Sequence, residues 1–391
     1  MVRRRYHIVS LPAMEALWPS HGPVCIPTRE RGNEGGSSLA SAPSAWRTAH
    51  GFTLLEMLLV IFLMALVAST GLMLTEGVET QAKYDETKRR MELIRKAIVG
   101  DPTRTVNGAP EISGFVADMG RLPGCLRELL ERLDCGDPAA ALPVWTHDPS
   151  SGIGFGWRGP YLQVLPEIGG ALRFRDGYGN RDDTAADDAA NSGWIWRLYV
   201  ADDSLATPAA TNPFAIVRLQ SLGFDGTERY PPGDMDAAAA VDRPIPLIIP
   251  ADWQVQLPAA VGVTFINQHT SDARPATAVN LRLRLYRSDL TDYFDADDGS
   301  NDYLTLAADS VLPGNNRRTE TFRLDNPPSL PMGIRGYAVV CNDVPPADPD
   351  DFVVFDGDCD AGNGVPGLSS VRSVAVVPRQ ILSLSLDWII Q

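Results

Sequence analysis

The chain has 391 residues, 44% hydrophobic and 21% charged, which is room for two or three domains of ~100 to 200 residues each. That balance excludes a disordered polymer and a protein with several membrane spans. A formal charge of −15 argues against a nucleic-acid binder, because surfaces that neutralise phosphates concentrate Lys and Arg. The charge is unevenly placed: residues 1–51 carry six Arg against three Glu, and the only lysines are Lys83, Lys88 and Lys96. An acidic body behind a short basic start suits a membrane-anchored protein whose bulk faces away from the cytoplasm.

Residues 1–51 are rich in Arg, Gly, Ser and Pro without a sustained apolar period and read as a leader. From Phe52 to Leu74 the chain is almost unbrokenly apolar, about 23 residues, enough to span a bilayer as a helix. The run is longer than the ~7 to 15 residues of a signal-peptide core and continues as helix, so it reads as a retained anchor. Beyond it, Tyr84, Thr87, Met91, Ile94 and Ile98 fall on one helical face until Gly100 and Pro102 stop the pattern. Residues 52–100 therefore read as one transmembrane and stalk helix, ~70 Å long at 1.5 Å per residue.

Residues 101–236 read as a first globular region. It has a short helix near Leu126 to Leu133, then strands at Trp194–Val200 and Phe214–Leu219 laid on the stalk. The Ala- and Pro-rich stretch after Met235 reads as a linker, residues 237–244. Short alternating runs follow at Trp253–Leu257, Val261–Phe265, Val279–Leu285, Thr319–Leu324, Ile334–Val340, Val371–Val377 and Leu382–Leu386. Their spacing predicts a β-sandwich over 245–391. The expected fold is α+β: a long N-terminal membrane-stalk helix packed on a small antiparallel sheet, followed by an all-β sandwich domain.

Of five cysteines, Cys25 lies in the leader, and Cys125, Cys135, Cys341 and Cys359 form an even set in two locally spaced pairs. Four cysteines allow three connectivities and spacing alone does not choose, although local pairing is the simplest. With neither a CxxC nor His nearby, zinc is not indicated. Catalysis finds no support: after Gly51 only His147 and His269 remain, and no Gly-x-Ser-x-Gly or His-Glu-x-x-His occurs. Trp253, Trp388, Tyr286 and Tyr293 are read as core rather than as a ligand surface. The acidic loop Asp356–Gly362 has Ala361 and Gly367 where a calcium hand needs Gly and Glu and is read as a disulfide-bearing turn, and the less regular Asp295–Asp302 is read as a solvated loop.

The most informative segment is Gly51-Phe52-Thr53-Leu54-Leu55-Glu56, which opens the apolar run. A carboxylate there is costly in hydrocarbon and wants a cation. If the chain is cut after Gly51, the new amine of Phe52, supplied by a neighbouring copy, is one such cation.

This string closely resembles the class III signal of type IV pilins and pseudopilins. The resemblance implies cleavage between Gly51 and Phe52 by a prepilin peptidase, N-methylation of Phe52, and assembly through Glu56 into a helical filament with other pilins or pseudopilins. It also implies an inner-membrane assembly platform as partner. The implied location is the bacterial inner membrane, single-pass, with a cytoplasmic N-terminus and a periplasmic body. Trp157–Leu162, Asp176-Gly-Tyr-Gly-Asn180 and Ser221-Leu-Gly-Phe-Asp-Gly226 resemble, in order, stretches of the major pseudopilin of type II secretion. Tyr178 and Arg181 depart from that pattern, and some 150 C-terminal residues lie outside it, which favours a minor or specialised pseudopilin. The family's calcium loop implies ligands here from Asp225, Asp234 and Asp236 with the carbonyl of Leu222. The alternative is a minor type IV pilin or adhesin whose C-terminal sandwich binds a surface ligand.

Overall fold

The computed structural model describes residues 53–101, 103–106, 108–135, 140–149, 151–205, 214–224, 229–288, 292–296, 303–324, 327–343, 352–360, 371–378 and 385–390. The chain divides into two compact units, residues 1–65 and 66–391. In the first, the described residues are the opening turns of helix α1 (Leu54–Val99). Their apolar side chains are exposed on every side, Leu54 at 82%, Ile61 at 64% and Met64 at 69%.

In the second unit α1 changes character. Ion pairs at i,i+4 join Lys83 to Glu79 and Arg90 to Glu86, a spacing that supports an exposed helix face. Thr87, Ile94, Ala97, Ile98 and Val99 are buried. The helix stops at Gly100, whose φ of 74° is the left-handed conformation that glycine adopts without strain.

After the helix come a short ladder of β1 (Thr105–Val106) with β2 (Ala109–Pro110), then α2 (Phe115–Met119) and a 3-10 turn at Leu126–Leu129. That turn replaces the longer helix expected from Leu126 to Leu133. A second short ladder pairs β3 (Thr146–His147) with β4 (Gly154–Phe155). Next, α3 (Ala185–Asn191) is N-capped by Thr184, whose hydroxyl accepts from the Asp187 amide at 3.1 Å. Strands β5 (Trp194–Tyr199) and β6 (Ile216–Ser221) pair antiparallel. Ile94 and Ile98 share a core with Phe115, Leu122, Trp194, Trp196, Val217 and Leu219. Ile248, Trp253 and Met332 belong to the same core although they follow residues 237–244 in sequence.

The C-terminal part opens with the short helix α4 (Pro250–Trp253). Its strands are β7 (Gln254–Gln256), β8 (Ala260–Asn267), β9 (Val279–Tyr286), β10 (Tyr293–Ala296), β11 (Leu304–Leu306), β12 (Asn316–Arg323), β13 (Ser329–Pro331), β14 (Gly333–Cys341), β15 (Arg372–Val376) and β16 (Ser385–Ile390). A five-stranded sheet runs in the order β10-β9-β14-β15, with β11 also paired to β9. A three-stranded sheet runs β12-β8-β16, and β7 pairs with β13. Strict alternation places Val279, Leu281, Leu283 and Leu285 of β9 in one core with Val261, Val263 and Phe265 of β8 and Leu386, Trp388 and Ile390 of β16. Ile153 joins that core from the β3–β4 region.

Strands β10, β11 and β13 here, like β1 to β4 before them, are not expected from the sequence pattern. Of the run expected at Leu382–Leu386, residues 382–384 lie outside the described residues, and the described strand β16 runs on to Ile390. It pairs parallel to β8, whereas the other ladders among the described residues are antiparallel.

Candidate functional site

The first candidate site is the start of α1. Thr53 and Glu56 form a reciprocal capping box. The Thr53 amide donates to Glu56 Oε2 at 2.9 Å, and the Glu56 amide donates to Thr53 Oγ1 at 3.2 Å. The Thr53 hydroxyl adds a bond to the same carboxylate at 3.1 Å. Amides at a helix start have no intrahelical acceptor, and these two residues satisfy two of them. The carboxylate also lies where the helix dipole is positive. Gly51 and Phe52 lie outside the described residues. Among the described residues no helix is long and apolar enough to cross a membrane.

Residues 46–72 match the family model of the prokaryotic N-terminal methylation motif. The chain carries a class III prepilin signal. Nothing matches among curated proteins or solved structures. In the prepilin signal, Glu56 was legible as a charge wanting a cation, whereas Thr53 as its capping partner was missed. The string Thr-x-x-Glu ahead of an apolar run was the available clue.

The second candidate is the acidic loop after Ser221. Asp176 is 2% exposed, and its carboxylate gathers the two motifs singled out in the sequence. It accepts from the amides of Tyr178 and Asn180, from Asn180 Nδ2 at 2.7 Å and from Ser221 Oγ at 2.5 Å. Asn180 Nδ2 reaches on to the carbonyl of Gly223 at 2.9 Å. The Gly177 amide donates to Thr87 Oγ1 of α1 at 3.0 Å, and a Cβ at Gly177 would collide with the Lys83 carbonyl. The Asp176–Asn180 turn is thus a splice between the helix and the Ser221 turn.

Of the calcium ligands implied by resemblance, Asp225 lies outside the described residues. Leu222 is partly buried, and Asp234 and Asp236 are exposed. Asp234 Oδ1 accepts from the Asp236 amide at 3.0 Å, and the Asp234 amide donates to the Asp242 carbonyl at 2.9 Å. Among the described residues, no group of three or more His, Cys, Asp or Glu is placed to hold a metal ion.

Disulfides join Cys125 to Cys135 and Cys341 to Cys359, with Cα atoms 6.0 and 5.8 Å apart. The third resemblance motif, Trp157–Leu162, is also structural. Trp157 Nε1 donates to the Glu128 carbonyl at 2.7 Å, and Tyr161 OH donates to Asp118 Oδ2 at 2.9 Å. Asp118 is 3% exposed, and burial pushes its carboxyl above the ordinary range despite Arg158 at 3.2 Å. Burial likewise raises the Tyr161 phenol. Among the aromatics, Trp253, Trp388 and Tyr286 are buried, while Tyr293 is 42% exposed beneath the Arg284 guanidinium.

Proposed function

We propose that the chain is a pseudopilin subunit of a type II secretion-like periplasmic filament, a minor or specialised one. The observation that carries this reading is the prepilin signal at 46–72, set on a helix whose first turns are apolar on all sides. Such a helix is stable only in lipid or among partners. The signal is that of a structural subunit, processed by a prepilin peptidase and assembled with other pilins. On this reading Phe52 to Leu74 anchors the chain in the inner membrane, the Phe52 amine of one subunit meets Glu56 of another, and the body lies in the periplasm. Residues 101–236 serve as the pseudopilin-like region and 245–391 as a sandwich extension.

The size of the C-terminal sheets favours one second reading, a minor type IV pilin or adhesin with a surface ligand on that extension. Calcium held by Asp225, Asp234, Asp236 and the Leu222 carbonyl is a further part of the proposal, supported by family resemblance alone.

The deciding experiment is co-expression with a prepilin peptidase followed by intact-mass analysis. The expected mature chain begins at an N-methylated Phe52. An uncut Gly51–Phe52 bond under those conditions would sink the filament reading.

A further inference from the structure

The three-stranded sheet β12-β8-β16 has two edges. At β16 the Asp387 carbonyl is taken by the Tyr337 hydroxyl at 2.9 Å, and Trp388 Nε1 donates to the Phe355 carbonyl at 2.7 Å. At the other edge β12 runs for eight residues, and among the described residues it pairs with β8 alone. The phase of that ladder decides which backbone groups are left over. The Leu324 amide donates to the Ala259 carbonyl at 3.0 Å, so the pair at this end is a hydrogen-bonded one. In an antiparallel ladder such pairs alternate with pairs whose N–H and C=O groups point apart. Arg317, Thr319, Thr321 and Arg323 hold positions of the second kind, opposite Ile266, Thr264, Gly262 and Ala260. Their amides and carbonyls therefore face outward along the open edge, a template for one more strand.

The side chains on this edge carry a choice of partner. Phe322 lies in the core, so by alternation Arg317, Thr319, Thr321 and Arg323 share the outer face, and all four are exposed. Arg318, on the inner side, is held by Glu320 at 2.5 Å. Arg317 and Arg323 make no ion pair among the described residues and stand ~20 Å apart along the strand. With three Arg against one Glu, β12 is a positive edge on a chain whose formal charge is −15. That charge argues against a second copy as the occupant. Two β12 edges meeting antiparallel about Glu320 would set Arg317 against Arg323 at both ends, and like charges directly opposite destabilise a ladder. Carboxylates in those two places would pair instead.

We propose that the open edge of β12 takes up an extended acidic segment of another protein as an added antiparallel strand. The segment exchanges main-chain hydrogen bonds with Arg317, Thr319, Thr321 and Arg323. Two of its carboxylates, six residues apart, lie opposite Arg317 and Arg323, with β-branched side chains between them against Thr319 and Thr321. Main-chain bonding supplies the affinity, and the two ion pairs set register and exclude basic partners. The inference rests on β12 and not on the filament reading.

The test measures fluorescence anisotropy of labelled peptides with the full chain in detergent. The probe is the end-capped peptide Glu-Thr-Val-Thr-Val-Thr-Glu. One control carries Lys for both Glu, and a second carries Pro for both Val, the positions whose amides would face the edge. The Glu peptide should bind about tenfold more tightly than either control. The double variant Arg317→Glu, Arg323→Glu should reverse the order of the Glu and Lys peptides. Thr321→Pro removes an outward amide but no bond to β8, so it should weaken the Glu peptide about tenfold with the melting temperature nearly unchanged. Equal binding of the Pro peptide would mean charge attraction without strand pairing and would overturn the proposal. So would absence of binding by the Glu peptide, or an unreversed preference in the double variant. None of these readouts needs cleavage at Gly51, so a failure here leaves the filament reading intact, and an uncut signal leaves this edge intact.

Discussion

Arg335 of β14 donates through Nη2 to the carbonyl oxygen of Val116 in α2, 3.0 Å away across 219 residues of sequence. The same guanidinium reaches the carbonyls of Ala117, Pro331 and Met332. It is 1% exposed, and burial brings its pKa down to about 9. The Val116 carbonyl also accepts from the Gly120 amide at 2.8 Å, so the guanidinium adds a second donor at the end of α2, where a cation is favoured by the helix dipole. One side chain therefore ties the region after the stalk to the five-stranded sheet.

Removing that tie should be expensive. Arg335→Ala takes a charged donor away from buried carbonyls and empties packed volume, so urea unfolding of the detergent-solubilised chain should show a loss of about 3 kcal/mol. Arg335→Met, which keeps an apolar stem, should lose less. A loss for the Ala variant of only ~0.5 kcal/mol, the scale of a surface change, would contradict the role.

Glu56 carries two jobs that substitutions can separate. Glu56→Gln keeps an acceptor for the Thr53 amide and so keeps the helix start, but it removes the charge. Glu56→Ala removes both, and loss of a cap costs about 1 kcal/mol of helix stability. Amide exchange at Leu54 to Met57 should be faster in the Ala variant alone, while filament incorporation should fail in both. Normal incorporation of the Gln variant would show that the charge is not what the neighbour reads.

Acid stability should depend on Glu86. Hydrogen bonds from Arg89 first and Arg90 second hold its carboxyl down, from an ordinary 4.5 to about 2. A carboxyl lowered on folding contributes stability that is fully present above about 4.5 and is lost as pH falls through about 2. Its side chain is 30% exposed, so solvent screening keeps the effect small. Glu86→Gln should flatten the decline in melting temperature across that acid window. An unchanged slope would mean that the pair contributes nothing measurable.

Calcium should raise the melting temperature of the chain relative to chelator if Asp225, Asp234 and Asp236 bind it. Ligand at a hundredfold excess over Kd adds about 2.7 kcal/mol. Asp225→Ala should abolish the shift. An equal shift in parent and variant would move the site elsewhere, and no shift in either would leave a solvated turn.

What could be read in the sequence was local and periodic. The alternation from Val279 to Leu285 and the face shared by Thr87, Ile94 and Ile98 are patterns of apolar spacing, and the burial follows them. Long-range pairing left no such trace. Nothing around Arg335 announces that its partners are Val116 and Ala117, because a buried arginine and a surface one look alike in sequence. The start of β12 was also hidden: Asn316, Arg317 and Arg318 are exposed edge residues, and their alternation carries no apolar signal. The prepilin signal was legible because its chemistry is confined to a few consecutive residues.

The place of β16 has a consequence for how the chain is made. It is the last described strand, yet it forms an edge of the three-stranded sheet and supplies Leu386, Trp388 and Ile390 to the C-terminal core. Synthesis runs from the N-terminus, so Val261, Val263 and Phe265 of β8 wait more than a hundred residues for their neighbour to emerge. On the filament reading, a chain carried outward by its N-terminal segment would hold that edge of β8 unpaired and its core without Leu386, Trp388 and Ile390 throughout transit, and a product truncated before Ser385 would never complete either.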